Sequence, residues 1–256
     1  LKFFYSKKIY NFDTIFDIGA HKGETISYFN KHFNVNNIYA FEPSPLNFKI
    51  LKKNIQKIKL KNSITIHLEN FAVGEILQKK TLQQMGESSS STFKEINLES
   101  KYFKIKNKLL GKLIVDSKKI EVDQIKLEDY IKNKNLSNLD LLKIDTEGSE
   151  FEVLKGLGEY LGKFKIILFE HHYDNMIVKG YKFSDMHKLL ISKNQIRFFE
   201  IDIAKDYKKL LQLFISEKPN AIVHFAEQRA APYSMMNSNK KIYSVVNNLS
   251  STHNIL

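Results

Sequence analysis

Thr14-Ile-Phe-Asp-Ile-Gly-Ala-His-Lys-Gly-Glu-Thr25 is the stretch whose reading decides the fold. It opens as a β-branched and aromatic run, reaches an acid at Asp17, and turns through Gly19 and Gly23. Ile26 and Phe29 follow at helical spacing, so a helix begins after the turn. Glycines between strand and helix let backbone N–H groups approach a ligand with no Cβ in the way. A second strand-like run, Asn37-Ile-Tyr-Ala-Phe-Glu-Pro43, ends in Glu42. That position suits a carboxylate accepting from ribose hydroxyls, as in nucleotide-binding α/β units. The expectation is a nucleoside-bearing cofactor at the carboxyl ends of parallel strands. The turn departs from G-x-G-x-x-G, because Ala20 and His21 follow Gly19 directly, which counts against a standard dinucleotide loop. Alone, it also matches an ordinary tight strand-to-helix turn.

Working outward, residues 13–20 read as the first strand, 23–33 as its helix and 36–42 as the second strand. Ser44 caps a helix from Leu46 to Ile55, in which Leu46, Ile50 and Leu51 share a face. Ser63–Leu68 alternates as a third strand, and Glu69–Gly74 reads as a loop at the same sheet edge. Between about 75 and 127 the pattern changes to short strands, 79–83, 112–115 and 119–125, as in a small β insertion. The polar run Glu87–Thr92 interrupts them, either as a plain surface loop or as a lid offering the hydroxyls of Ser89, Ser90, Ser91 and Thr92 to a polar substrate. A helix starts at Leu127, and Leu139–Asp145 reads as a buried parallel strand. Helix 151–157, strand 163–169 and helix 184–192 follow. Successive strand ends thus terminate in Asp17, Glu42, Asp145 and Glu170, which in a doubly wound sheet share one crevice.

Composition sets bounds. At 256 residues and 43% hydrophobic content, one full α/β domain fits, with part of a second. No apolar run is long enough to span a membrane, and the start at Leu1 lacks a signal-peptide pattern. The absence of cysteine removes thiolate nucleophiles and Cys-ligated zinc, and agrees with a cytoplasmic location. The net charge of +12 comes almost wholly from dispersed lysines, Arg197 and Arg229 being the only arginines. Nucleic acid and anionic membrane are therefore not the expected partners.

Acids in a crevice could bind Mg²⁺, move protons, or hold ribose and amine groups. Asp145 and Glu147 sit two apart on a turn, and Glu170 and His171 lie at the next strand end, where a His beside carboxylates could deprotonate a hydroxyl. Structural hydrogen bonding is the other reading of His171 and His172. No H-x-x-x-H pair on a helix, G-x-S-x-G elbow or Walker loop is present, and no metal site is expected.

Phe16–Glu24, Ala40–Pro45 and Leu142-Lys-Ile-Asp-Thr-Glu-Gly-Ser-Glu150 together resemble the FkbM family of S-adenosylmethionine-dependent methyltransferases, over about residues 12–192. Phe71–Gly74, the Ser88–Thr92 run and Ile125–Ile131 fall in that family's order. The resemblance implies a Rossmann-like methyltransferase fold, a mostly parallel doubly wound α/β sheet, S-adenosyl-L-methionine as cofactor, and O-methylation of a small polar acceptor of the sugar or natural-product kind. It sets Asp17, Gly19, Ala20, His21 and Gly23 around the methionine part, Glu42 with Pro43 at the ribose, and Asn70, Phe71 and Ala72 near the adenine. Asp145 and Glu147 then border the reacting hydroxyl, and Asp145, Glu147, Glu170 and His171 all stand as candidate bases.

Past residue 193 the text changes. Strand 195–203, helix 205–216, strand 220–225 and the residues that follow resemble, over about 196–256, an internal slice of extended short-chain dehydrogenase/epimerases, most closely the UDP-sulfoquinovose synthases. That slice lacks a dinucleotide loop and a Tyr-x-x-x-Lys pair, so 193–256 is expected to be a partial α/β piece left by a fusion or misassembled gene, without dehydrogenase activity. The alternatives are that 196–201 and 221–225 complete the methyltransferase sheet, that the protein is a nucleotide-sugar NAD-dependent epimerase fragment, or that it is an inactive fusion.

Overall fold

A computed structural model describes residues 11–61, 64–84, 91–97, 99–100, 104, 118–170, 177–192, 201–217 and 237–255. Those from 11 to 192 belong to one compact unit, and those from 201 to 255 to a second.

In the first unit, β1 (Asn11–Ile18) buries Ile15, Phe16 and Ile18 from both faces, as a central parallel strand must. Helix α1 (Glu24–His32) starts at Gly23, whose φ of 92° is left-handed, and buries Ile26 and Phe29. Phe29 packs edge-on against Phe12 with ring centres 5.7 Å apart. Strand β2 (Asn34–Phe41) pairs parallel with β1. Helix α2 (Pro45–Lys57) is capped by the Ser44 hydroxyl, which accepts from the Asn47 N–H at 3.2 Å, and Pro45 fills the first helical position. Its buried stripe is Asn47, Leu51 and Ile55, at i, i+4 spacing, and Leu46 is 53% exposed. This corrects the Leu46-Ile50-Leu51 face. The cap fixes where the helix begins, and the phase so set turns Leu46 to solvent.

Strand β3 (Thr65–Glu69) is followed by β4 (Ala72–Gly74), where the sequence suggested only a loop. β4 leaves the main sheet and joins β5 (Gln78–Gln84) and, beyond the two-residue β6 (Glu95–Ile96), β7 (Lys118–Lys126), in a separate sheet ordered β4-β7-β5. β5 and β7 are antiparallel, as the insertion reading expected, and β4 is parallel to β7. The expected strand at 112–115 lies outside the described residues. Helix α3 (Leu127–Asn133) buries Leu127 and Ile131. Then come β8 (Leu141–Ile144), α4 (Glu150–Lys155), a 3₁₀ turn at Gly158–Lys163, β9 (Ile166–Phe169), β10 (Ile177–Val178) and α5 (Phe183–Ser192).

The main sheet runs β3-β2-β1-β8-β9, every pair parallel. This is the Rossmann-like order, winding outward in both directions from β1. Right-handed crossovers place α1 and α2 on one face and α4 on the other. The order reverses between β1 and β8, which is where such sheets open a crevice. Phe16 fills the centre, stacked on Tyr39 at 5.0 Å and on Phe41 at 6.3 Å. Burying each such ring contributes about 1.5–3 kcal/mol.

The second unit contains α6 (Tyr207–Glu217) and α7 (Ser238–Ile255). Asn254 donates its amide to the Ile203 carbonyl at 2.8 Å. Of the strand expected at 195–203, the described residues 201–203 form none, and strand 220–225 lies outside the described residues. Among the described residues no helix is long and apolar enough to cross a membrane.

Candidate active site

A cavity of about 290 Å³ opens at the carboxyl ends of β1, β2, β8 and β9. Two turns make its opposite walls.

The first wall is the glycine turn after β1. Gly19 and Ala20 both donate their N–H groups to the Phe41 carbonyl at 2.9 Å, which pins the turn to the end of β2. Gly19 has φ of 83°, and a Cβ there would stand 1.9 Å from the Asp145 carbonyl oxygen. Only glycine allows β1 and β8 to approach this closely. His21 donates its N–H to Glu42 Oε2 at 2.9 Å, and Ser44 donates its N–H to Glu42 Oε1 at 2.9 Å. Glu42 is thereby aimed along the wall while only 5% exposed. Burial pushes its carboxyl up to about 7, against the opposing pull of those hydrogen bonds. The Asn70 amide donates to the carbonyls of Glu42 at 2.8 Å and Pro43 at 3.2 Å, holding this corner from behind.

The second wall is the turn after β8. Asp145 donates its N–H to the Ile18 carbonyl at 2.9 Å. The buried Glu150 accepts on Oε1 from the Thr146 N–H at 3.2 Å, the Thr146 hydroxyl at 3.1 Å and the Gly148 N–H at 3.0 Å. Its other oxygen accepts from the Tyr181 hydroxyl at 2.7 Å. Glu147 and Gly148, at φ of 51° and 106°, make the bend that this carboxylate ties down. Thr92 donates its hydroxyl to the Glu147 carbonyl at 2.6 Å and exchanges backbone bonds with Gln83.

Lys143 bridges the two walls. Its ammonium lies 3.1 Å from Asp17 Oδ1 and 3.3 Å from Asp145 Oδ2. Burial works against this charge, and the two carboxylates outweigh it, holding the lysine above its ordinary value. Phe71, Ala72, Val73, Leu82 and Phe93 supply an apolar side to the cavity.

Of the residues singled out from sequence, Gly19, Ala20, His21, Glu42, Pro43, Phe71, Ala72, Ser91, Asp145, Glu147 and Glu170 line the cavity. Asp17, Gly23, Asn70 and Thr92 do not. Asp17 is fully buried behind Lys143, and Gly23 packs α1 against Leu51 of α2. Asn70 and Thr92 use their side chains to brace the walls. Ser89, Ser90 and His171 lie outside the described residues. The cavity also takes Glu24, Thr25, Asn47, Lys143 and Ser149, which were not singled out. Lys143 did carry a signal. It is a lone cation in an apolar strand, two residues from Asp145 and so on the same face. Among the described residues no group of three His, Cys, Asp or Glu side chains could hold a metal ion.

Strand order and crevice together define a Rossmann-like α/β protein with its site at the switch point. Residues 17–201 match the family described as the Methyltransferase FkbM domain, and the chain belongs to that family. It is 26% identical over 146 residues to "Methyltransferase 1" of Beauveria bassiana, covering 57% of this chain and 58% of that one. It is 23% identical over 164 residues to "31-O-demethyl-FK506 methyltransferase FkbM" of Streptomyces tacrolimicus, covering 57% and 59%. The matched stretch therefore spans less than two thirds of these relatives. A stretch of 50 residues, 20% of this chain, is 48% identical to UDP-sulfoquinovose synthase of Sulfolobus acidocaldarius, of which it covers 12%. Among solved structures, a methyltransferase FkbM from Methylobacillus flagellatus aligns at a TM-score of 0.44 with 16% identity, over 72% of this chain and 38% of that one.

Proposed function

We propose that the crevice binds S-adenosyl-L-methionine and passes its methyl group to a hydroxyl of a small polar acceptor, a sugar, glycan or natural product, in the cytoplasm. The observation that carries this reading is Glu42. It is a buried carboxylate at the end of β2, oriented by two backbone N–H groups, on the same wall as the glycine turn. The donor set fits the cofactor. Glu24, Glu42, Asp145, Glu147 and Glu170 border a cavity suited to a cationic guest, with Phe71 to Val73 as an apolar bed for a base.

When bound, the cofactor would supply an electrophilic methyl group on a sulfonium. Glu42 accepts from the ribose hydroxyls, the Gly19–His21 backbone borders the methionine part, and Phe71 and Ala72 flank the adenine. Asp145, Glu147 and Glu170 border the acceptor hydroxyl, and one of them takes its proton. Ser91 offers a hydroxyl to a polar acceptor. Such chemistry rests largely on in-line positioning, with a base assisting. The oxygen acceptor in the name of the Streptomyces relative supports transfer to a hydroxyl. Residues 1–192 are the catalytic part in this reading, and 193–256 is not a functional domain of its own.

Thermal melts test it. S-adenosylmethionine at 100 times its Kd should stabilise the protein by about 2.7 kcal/mol, and NAD should do nothing. Stabilisation by NAD alone would favour the nucleotide-sugar oxidoreductase reading, for which the short synthase-like stretch is the support. Transfer of a radiolabelled methyl group to a panel of polyols and glycosides then identifies the acceptor.

A further inference from the structure

We propose that Lys143 is a positioning residue that holds the Asp145 carboxylate against the cavity, and that Asp17 is its counter-ion rather than a cofactor ligand. The consequence for catalysis rests on the methyl-transfer reading, and the ion cluster itself rests on geometry.

The cluster sits at the point where strand order reverses. Asp17 and Lys143 are register partners on the paired strands β1 and β8. Their side chains therefore leave the sheet on the same face, one strand apart. The Asp17 side chain is 0% exposed, Lys143 14% and Asp145 40%, so the three step outward from the core to the cavity. Lys143 lines the cavity and Asp17 does not. An unpaired ammonium would be costly this deep in the sheet, and so would an unpaired carboxylate. Each is tolerated because of the other.

The backbone of Asp145 is already fixed, by its N–H bond to Ile18 and by the close approach of Gly19 to its carbonyl. Lys143 then fixes the side chain. With both in place, the Asp145 carboxylate has one oxygen held by the ammonium while the residue borders the cavity. Removing the charge of Asp17 would leave Lys143 with Asp145 alone, drawing that carboxylate inward and stripping the crevice of a negative charge that favours a cationic guest. Asp17 thus influences ligand binding through Lys143 and without touching the ligand. The other charged groups around Asp17 are Glu24 at the start of α1, Asp145 after β8 and Glu42 after β2, all acidic. Lys143 is the cation that balances them at this point.

Three variants test this: Asp17→Asn, Lys143→Met and the pair together. Melting temperature is followed from pH 5.5 to 8.5. Burial already pushes the Asp17 carboxyl up, and Lys143→Met removes the cation that opposes this, so its folded-state value rises further above its unfolded one. Stability is then present at low pH and lost as pH rises, on the order of 5 °C beyond any slope of the wild type. Adding Asp17→Asn should remove that extra slope and raise the melting temperature at pH 8. The same set is titrated with S-adenosylhomocysteine. Asp17→Asn should weaken binding about tenfold in the wild-type background and less than about twofold beside Lys143→Met. Equal losses in both backgrounds would mean that Asp17 meets the ligand directly, and would overturn the proposal. So would a double variant no more stable at pH 8 than Lys143→Met. If the wild type binds no S-adenosylhomocysteine, the methyl-transfer reading falls, and the pH series alone decides whether Asp17 and Lys143 are counter-ions.

Discussion

The turns after β1 and β8 begin alike, with an acid followed by a left-handed bend, and they do opposite things. In Asp17–Gly23 the acid is buried, and the Gly19 and Ala20 N–H groups are gathered on the Phe41 carbonyl. In Asp145–Glu150 the acid is 40% exposed, and the Thr146 and Gly148 N–H groups are gathered on the buried Glu150 carboxylate. The first turn also requires glycine at position 19, where a Cβ would meet the Asp145 carbonyl. A buried carboxylate can organise a larger bend and leave Asp145 and Glu147 facing the cavity. In the proposed reading the first wall receives the cofactor's polar skeleton and the second acts on the acceptor.

The first wall is most vulnerable at Gly19. Gly19→Ala forces a left-handed residue and a Cβ against the Asp145 carbonyl, and should cost more than about 5 kcal/mol by urea unfolding, or prevent folding. Glu150→Ala attacks the other wall. It strands the N–H groups of Thr146 and Gly148 and should cost about 4 kcal/mol, while Tyr181→Phe, losing one bond to the same carboxylate, costs about 1–2 kcal/mol.

Glu42 makes the first wall sensitive to pH. Its carboxyl rises from an ordinary 4.5 to about 7, so the folded state holds a proton that the unfolded chain releases. Its contribution to stability is therefore largest below about pH 4.5 and lost as pH rises through 7, by up to about 3 kcal/mol. Glu42→Gln should flatten that part of the pH–stability curve. Ligand binding should run the other way if the ionised form accepts both ribose hydroxyls, strengthening between pH 6 and 8. The smallest effect belongs to Gly180→Ala. Its φ of 75° is also left-handed, but no atom lies within 4 Å of the added Cβ, so only backbone strain of about 1–2 kcal/mol remains. The gap between Gly19 and Gly180 measures how much of the first wall depends on close approach.

The parallel strands were legible in the sequence because buried central strands are continuous apolar runs that end at acids and glycines. The Ser44-Pro45 start of α2 was legible too, because cap chemistry is local. β4 was not, since three residues that change sheets carry no periodicity of their own. The family resemblance set Asn70 near the adenine, and the polar run 87–92 read as a lid. The sequence carried no sign that the Asn70 amide donates to the Glu42 and Pro43 carbonyls or the Thr92 hydroxyl to the Glu147 carbonyl. Asp17 shows the same limit. A strand's period says which residues share a face, and not whether that position opens to the cavity or closes behind a neighbour such as Lys143.

Calorimetric titration with S-adenosylmethionine, on wild type and Glu42→Ala side by side, tests whether the crevice takes the cofactor through Glu42. Saturable one-to-one binding that is lost in the variant is the predicted result. A wild type that releases no heat, or a variant that binds as tightly as the wild type, would contradict it.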